Sequence, residues 1–205
     1  MTQHLTGIRA DRKHSYHSIE QTAVELRKLL GLGPLDQFDA LKFFDQIVPE
    51  MTVECRAGNI RLYEAVEECP QEGLTRWNND LGVLELVLSE RTYGSLQDDK
   101  VRARSTVAHE CGHACLHTDQ IIRLGGMNLS SQVAFHRERN PHQACEDTEW
   151  QANAFGSALL MPAEGVERLF ARLGRVSAFA LTETFGVSLE AATYRIGTYE
   201  RSLGH

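Results

Sequence analysis

Residues 109–113 of the chain read HECGH, which is the pattern H-E-x-x-H. The preceding residues 101–108 contain neither proline nor glycine, which favours a helix that runs through the pattern. On an α-helix, two residues four positions apart lie about 40° apart around the axis. The imidazoles of His109 and His113 can therefore reach one metal ion. The carboxylate of Glu110 lies on the flank of the same face, close enough to exchange a proton there.

The flanking sequence predicts a helix from about Ser95 to His117. Ser95 followed by Asp98 resembles a capping box, and small apolar residues surround the pattern. The alternative is a structural helix that carries the pattern by accident. Two histidines and a glutamate on a partly apolar helix would be a costly way to build a core, because buried polar groups need partners.

Two histidines leave a metal ion short of protein ligands. The pattern is typical of zinc metallopeptidases, in which zinc has three protein ligands and the glutamate acts as a base. His117 lies one turn beyond the pattern, roughly 80° from its first histidine, and is interpreted as a supporting or helix-end residue. Glu149 is the better third ligand, with Glu146 and Asp147 as the alternatives.

Glu149 opens the run EWQANAFGSALLMP, residues 149–162, which reads as a helix that stops at Pro162. Glu149 and Asn153 are four positions apart and share a face. Glu149 can bind the metal while Asn153 hydrogen-bonds a metal-binding histidine, a contact that such histidines usually need. Gly156 continues this face and allows the first helix to approach closely.

These two segments resemble the ImmA/IrrE family of zinc metallopeptidases. RARSTVAHECGHACLH, residues 102–117, matches an Arg-rich approach followed by A-H-E-x-G-H-x-x-x-H. Residues 149–162 match E-x-E-A-N-x-F-A-x-x-L-L-M-P, and a weaker likeness covers about residues 18–200. Gln151 stands where an acid is frequent, which removes one rival ligand, and Gly156 replaces the usual alanine.

The resemblance implies a gluzincin-like zinc metalloendopeptidase in the cytoplasm. Its metal ligands would be His109, His113 and Glu149, and its catalytic base would be Glu110. Asn153 and His117 would support the metal ligands. Relatives of this type cleave a helix-turn-helix transcriptional repressor at one site and switch on a stress response, and some belong to pairs like toxin and antitoxin. The expected partner is thus a repressor or antitoxin, and Zn²⁺ is the only cofactor expected. The alternative is a metal-containing binding module that sequesters a regulator without cleaving it.

Composition narrows the remaining classes. The 205 residues carry a formal charge of −7, which argues against direct binding of nucleic acid, because phosphate contacts need a basic face. No run of about 18 apolar residues is present, so no membrane span is expected. Five cysteines cannot all pair internally, which fits a reducing, cytoplasmic setting. The sequence leaves the oligomeric state open.

The chain is expected to divide into an N-terminal tail (1–17), a zinc metallopeptidase domain (18–162) and a C-terminal helical subdomain (163–205). Strand-like runs and a hairpin between residues 51 and 88 predict a small antiparallel sheet beside the motif helix. The predicted class is α+β, mostly helical and zincin-like. His136 and His142, in the long connection before Cys145, are weaker candidates for contact with a substrate.

Overall fold

The computed structural model describes residues 7–125, 143–174 and 177–202. Helices pack around a four-stranded sheet in this part of the chain, which confirms the predicted α+β class. The helices are α1 (Tyr16–Leu29), α2 (Ala40–Lys42), α3 (Glu90–Gln97), α4 (Val101–Arg123), α5 (Thr148–Leu160), α6 (Ala163–Leu173), α7 (Ala178–Phe185) and α8 (Leu189–Ser202). The strands are β1 (Thr52–Cys55), β2 (Gly58–Glu67), β3 (Gly73–Asn78) and β4 (Val83–Ser89).

The sheet has the strand order β1-β2-β4-β3. β1 pairs with β2, and β3 with β4, in antiparallel fashion, but β2 and β4 run parallel. The prediction of an antiparallel sheet is therefore wrong for the central pair. After β2 the chain crosses to the outer edge of the sheet, where it forms β3. The β3–β4 hairpin then places β4 between β3 and β2. β4 is buried along its whole length, and its nearly continuous apolar run suits a strand that is covered on both faces.

The helix that carries the H-E-x-x-H pattern, α4, begins at Val101 and not at Ser95. The hydroxyl of Ser89 caps the separate helix α3, which takes up the first part of the predicted helix. Between the two helices, Asp99 has a left-handed backbone with a φ of 56°, which a continuous right-handed helix does not allow. α4 then continues past its predicted end to Arg123.

Side chains also mark where other helices begin. α1 begins at Tyr16, directly after Ser15, whose side chain caps it. α2 is followed by a π-helical turn, Phe43–Ile47, and a 3-10 turn, Val48–Glu50. α5 starts after Asp147, whose carboxylate accepts a hydrogen bond from the backbone of Trp150.

α4 lies between the sheet and α5, and side chains from all three meet in the core. Leu84 and Leu86 of the sheet, Val107 and Cys111 of α4, and Phe155 of α5 are fully buried. Burying an aliphatic or aromatic side chain of this size stabilises a fold by roughly 1.5–3 kcal/mol. The core thus fixes how α4 and α5 face each other.

Buried arginines attach the last two helices to this core. Arg104 of α4 donates a 2.6 Å hydrogen bond to the carbonyl of Gly186, where φ is 62° and α7 ends. Arg195 of α8 donates to the carbonyl of Met161 and pairs with Glu20. The assignment of residues 163–205 to a separate subdomain remains a prediction.

Residues near the N-terminus also contact the start of α5. Ile8 and Ala10 are buried, the backbone N–H of Ala10 donates to the carbonyl of Glu146, and that of Thr148 donates to the carbonyl of Ile8. The predicted domain boundary at residue 18 remains a prediction.

Candidate metal centre

Two glycines allow the backbones of α4 and α5 to approach closely. A Cβ atom on Gly112 would lie 3.0 Å from the Cα and carbonyl oxygen of Ala152, whereas ordinary contacts are 3.4–4 Å. A Cβ atom on Gly156 would lie 3.3 Å from the carbonyl carbon of Ala108. This close approach brings Glu149, in the first turn of α5, against the two histidines of the H-E-x-x-H pattern.

His109, His113 and Glu149 meet at this junction and form a group that could hold a metal ion. The Nε2 atoms of the two histidines are 3.0 Å apart. The carboxylate oxygens of Glu149 lie 3.2 Å from Nε2 of His109 and 3.4 Å from Nε2 of His113. A tetrahedral ion with bonds of about 2.0–2.1 Å separates its ligand atoms by about 3.3 Å. The donor atoms therefore have both the chemistry and the spacing that such an ion requires.

The carboxylate of Glu149 also fits a bound cation. Its Oε1 atom is buried and accepts no hydrogen bond, although it lies 3.4 Å from Nε2 of His113. A buried acceptor without a partner costs about 1–3 kcal/mol, and more when it is charged. A metal ion bound to the three side chains would satisfy this oxygen.

The charges in the group are strongly coupled. Burial lowers the pKa of His109, but the hydrogen bond to Glu149 and the charges of Glu110 and Glu149 outweigh burial and raise that pKa to about 9. Burial likewise opposes ionisation of Glu149, yet the two imidazoles beside its carboxylate hold its pKa well below the usual value. The carboxylates thus favour the protonated form of His109, and the imidazoles favour the ionised form of Glu149.

Hydrogen bonds on the far side of each imidazole orient the two histidines. Nδ1 of His109 lies 3.0 Å from Oδ1 of Asn153, and Nδ1 of His113 lies 3.0 Å from Nδ1 of His117. Nε2 of His117 in turn lies 2.8 Å from Oε1 of Gln151. Burial, followed by the charge of His113, lowers the pKa of His117 to about 3. Asn153 and His117 thus contact the histidines that the sequence predicted them to support, whereas Gln151 was not assigned a role there.

Glu110 faces β3, from which it receives a contact that the sequence did not predict. The hydroxyl of Thr75 lies 2.9 Å from Oε2 of Glu110 and 3.0 Å from its carbonyl oxygen. Gly73 makes room for this packing, since a Cβ atom there would lie 3.0 Å from Cγ of Glu110. The charge of Glu110 is one of the causes that raise the pKa of His109, the next residue in the chain.

The alternative ligands are engaged elsewhere. Asp147 caps α5, and Glu146, the last residue of the 3-10 turn Ala144–Glu146, pairs with Arg9 at 3.3 Å. His136 and His142 lie outside the described residues.

A cleft of about 750 Å³ opens beside the metal group. It lies between α4, α5 and α8, and His109 and Asn153 form part of its wall. Its remaining wall is largely apolar and includes Trp150, Leu160 and Ala191. This volume is within the range of about 300–1,000 Å³ that is typical of ligand sites.

Two helices of an α+β domain thus bring two histidines and a glutamate together in a group that could hold a metal ion. The chain belongs to the Peptidase_M78 family, described as the IrrE N-terminal-like domain, whose pattern matches residues 95–197, about half of the 205 residues. The match includes all three residues of the metal group but not Gly73 or Thr75.

The chain is also similar to a solved structure, a Mycobacterium tuberculosis transcriptional regulator, with 17% sequence identity and a TM-score of 0.48. The similarity covers 87% of this chain and 46% of the regulator, so the chain spans about half the length of that protein. No curated protein matches the chain significantly. Among the described helices, none combines the length and the apolar character needed to cross a membrane.

Proposed function

We propose that the protein is a zinc-dependent endopeptidase that cleaves a specific protein, such as a helix-turn-helix repressor or an antitoxin, in the cytoplasm. The observation that carries this proposal is the meeting of His109, His113 and Glu149 with Glu110 beside them. Two imidazoles, one carboxylate and an open fourth position are the ligand set of many catalytic zinc sites. The regulator as substrate is inferred from the family resemblance, and free cysteines in the described chain fit a reducing compartment.

The residues of this chain divide the chemistry between them. A zinc ion held by the three side chains would lower the pKa of a water molecule and polarise the scissile carbonyl. Glu110 accepts a proton from the attacking water and delivers it to the leaving amine. Thr75 donates a hydrogen bond to Oε2 of Glu110, and we infer that this contact limits the rotation of the carboxylate.

The cleft beside His109 is the proposed seat of the peptide next to the scissile bond. Its apolar wall favours an apolar side chain of the substrate, because each Å² of apolar surface that is buried there contributes roughly 25 cal/mol to the free energy of binding. Ala191→Trp would fill part of the cleft from α8 and leaves all three metal-binding side chains unsubstituted, so we expect it to impair cleavage while metal content is unchanged. Thr193→Trp, at an exposed position on the same helix that does not line the cleft, is the matched control.

The direct experiment is co-expression of the chain with candidate repressors and antitoxins, with wild type compared to Glu110→Gln. We expect one zinc-dependent fragment with wild type and none with the variant, which should still bind zinc. A partner that is bound but never shortened by the zinc-loaded wild type would favour the sequestration alternative. Cleavage by Glu110→Gln at the wild-type rate would refute the role of Glu110.

A further inference from the structure

The side chain of Gln151 is fully buried and its amide has only one possible orientation. Nε2 donates hydrogen bonds to the backbone carbonyls of Arg12, at 2.9 Å, and Cys145, at 2.8 Å. Carbonyl oxygens can only accept, so both amide hydrogens of Gln151 are engaged there. Oε1 must therefore point in the other direction, and it lies 2.8 Å from Nε2 of His117.

This orientation fixes the position of the proton on His117. Because Oε1 of Gln151 can only accept, Nε2 of His117 carries the hydrogen of that bond. His117 is 3% exposed and its ring contacts Gln151 and His113, neither of which offers a carboxylate. A buried imidazole in these surroundings is neutral, so its other nitrogen, Nδ1, has a lone pair and accepts a hydrogen bond.

The acceptor on His117 determines the proton on His113 in turn. The two Nδ1 atoms are 3.0 Å apart, so Nδ1 of His113 must donate. The remaining ring nitrogen of His113, Nε2, is then the one without a hydrogen. That atom is 3.0 Å from Nε2 of His109 and 3.4 Å from Glu149, inside the group that could hold a metal ion.

We propose that Gln151 and His117 are positioning residues, which together hold His113 in the tautomer whose Nε2 can bind metal. The inference rests on the proposed metal site and extends it to residues that would not touch the ion. The relay starts at two backbone carbonyls that are far apart in sequence, at residues 12 and 145. It therefore links the N-terminal segment and the start of α5 to the ligand.

His109 is held differently. Its Nδ1 contacts Oδ1 of Asn153, which is exposed and can rotate its amide. The relay through Gln151 and His117 thus acts on His113 alone. Mutations can therefore remove the support of His113 and that of His109 separately.

Nuclear magnetic resonance of the full chain with ¹⁵N-labelled histidine reads the relay directly. We expect His117 to carry its hydrogen on Nε2 with and without zinc, and His113 to carry it on Nδ1 once zinc is bound. Since the reading of His117 needs no metal, it is independent of the proposed function. A hydrogen on Nδ1 and none on Nε2 of His117 would overturn the relay even if zinc binds.

Variants test whether the relay matters for the metal. Gln151→Leu should weaken zinc binding by roughly 10–100-fold, which is typical for loss of a contact behind a ligand. Gln120→Leu is the matched control, because Gln120 is also buried and bonds to Arg9 and Asp11 of the N-terminal segment but does not reach His117. Equal losses in the two variants would reduce Gln151 to a structural role and contradict the proposal.

A conservative pair of variants at His117 supplies a rescue test. In His117→Asn the amide oxygen stands near the former Nδ1 and can still accept from His113, whereas His117→Leu offers no acceptor. We expect His117→Asn to retain most of the zinc affinity that His117→Leu loses. Equal affinity in the two variants would contradict the relay, whereas a wild type that binds no zinc would instead refute the proposed function.

Discussion

The contact between α4 and α5 predicts opposite outcomes for two glycine substitutions. In Gly112→Ala the new Cβ atom would lie 3.0 Å from the backbone of Ala152, at least 0.4 Å inside ordinary contact, and neither backbone can rotate away. The helices must separate by about that distance, which exceeds the tolerance of about 0.2 Å for metal–ligand bonds. In Gly156→Ala the contact with Ala108 is 3.3 Å, only 0.1 Å short of ordinary.

The energies follow from the same distances. Overpacking costs typically 1–3 kcal/mol, and alanine in place of glycine within a helix returns about 1 kcal/mol. Gly112→Ala should therefore lose up to about 2 kcal/mol of stability, and at least tenfold in metal affinity. Gly156→Ala should keep its metal affinity and gain up to about 1 kcal/mol.

Two assays separate these effects. Urea unfolding of the metal-free chain gives the stability of each variant, and competition with a chelator gives its metal affinity. If Gly112→Ala binds metal as tightly as wild type, or if Gly156→Ala loses as much as Gly112→Ala, the close approach of the helices does not set the geometry of the site.

Three further predictions concern protons, the base and the fold. Because the pKa of His109 is raised from 6.5 to about 9, protonated His109 stabilises the metal-free chain fully below pH 6.5, and this stabilisation is lost as the pH rises through about 9. Metal uptake at pH 7 should therefore release about one proton from His109. Calorimetry that finds no proton release would contradict this prediction. Thr75→Val should lower the rate of hydrolysis by about 10–100-fold with zinc content unchanged, because a hydrogen bond to charged Glu110 is worth roughly 1.5–3 kcal/mol. An unchanged rate would exclude this role of Thr75. Arg195→Met should lower the free energy of unfolding, measured in urea, by about 2–3 kcal/mol, whereas Arg168→Met, which breaks an exposed ion pair, should lower it by under about 1 kcal/mol. Similar losses in the two variants would refute the anchoring role of the buried arginine.

Local sequence patterns were enough to predict most residues of the candidate site. The spacing of His109 and His113 follows from helical geometry alone, and the second helix that presents Glu149 is a continuous local run that stops at a proline. The predicted start of α4 at Ser95 is wrong. Ser95 and Asp98 match the sequence pattern of a capping box, but they belong to the end of α3, and the chain turns at Asp99.

Contacts between distant segments could not be predicted in this way. The parallel pairing of β2 and β4 depends on which edge the β3–β4 hairpin approaches, and the alternation of each strand does not encode that choice. Thr75 meets Glu110, and Gln151 meets the carbonyl of Arg12, only after folding, so neither residue stands out in the sequence.

On the proposed function, His109, His113 and Glu149 together hold one metal ion. The most direct test is elemental analysis of the purified full chain and of Glu149→Ala, with the Glu164→Ala variant on the exposed face of α6 as a control. We predict one zinc per chain in the wild type and the control, and a large loss in Glu149→Ala. Wild-type protein without stoichiometric metal, or full metal content in Glu149→Ala, would contradict the claim.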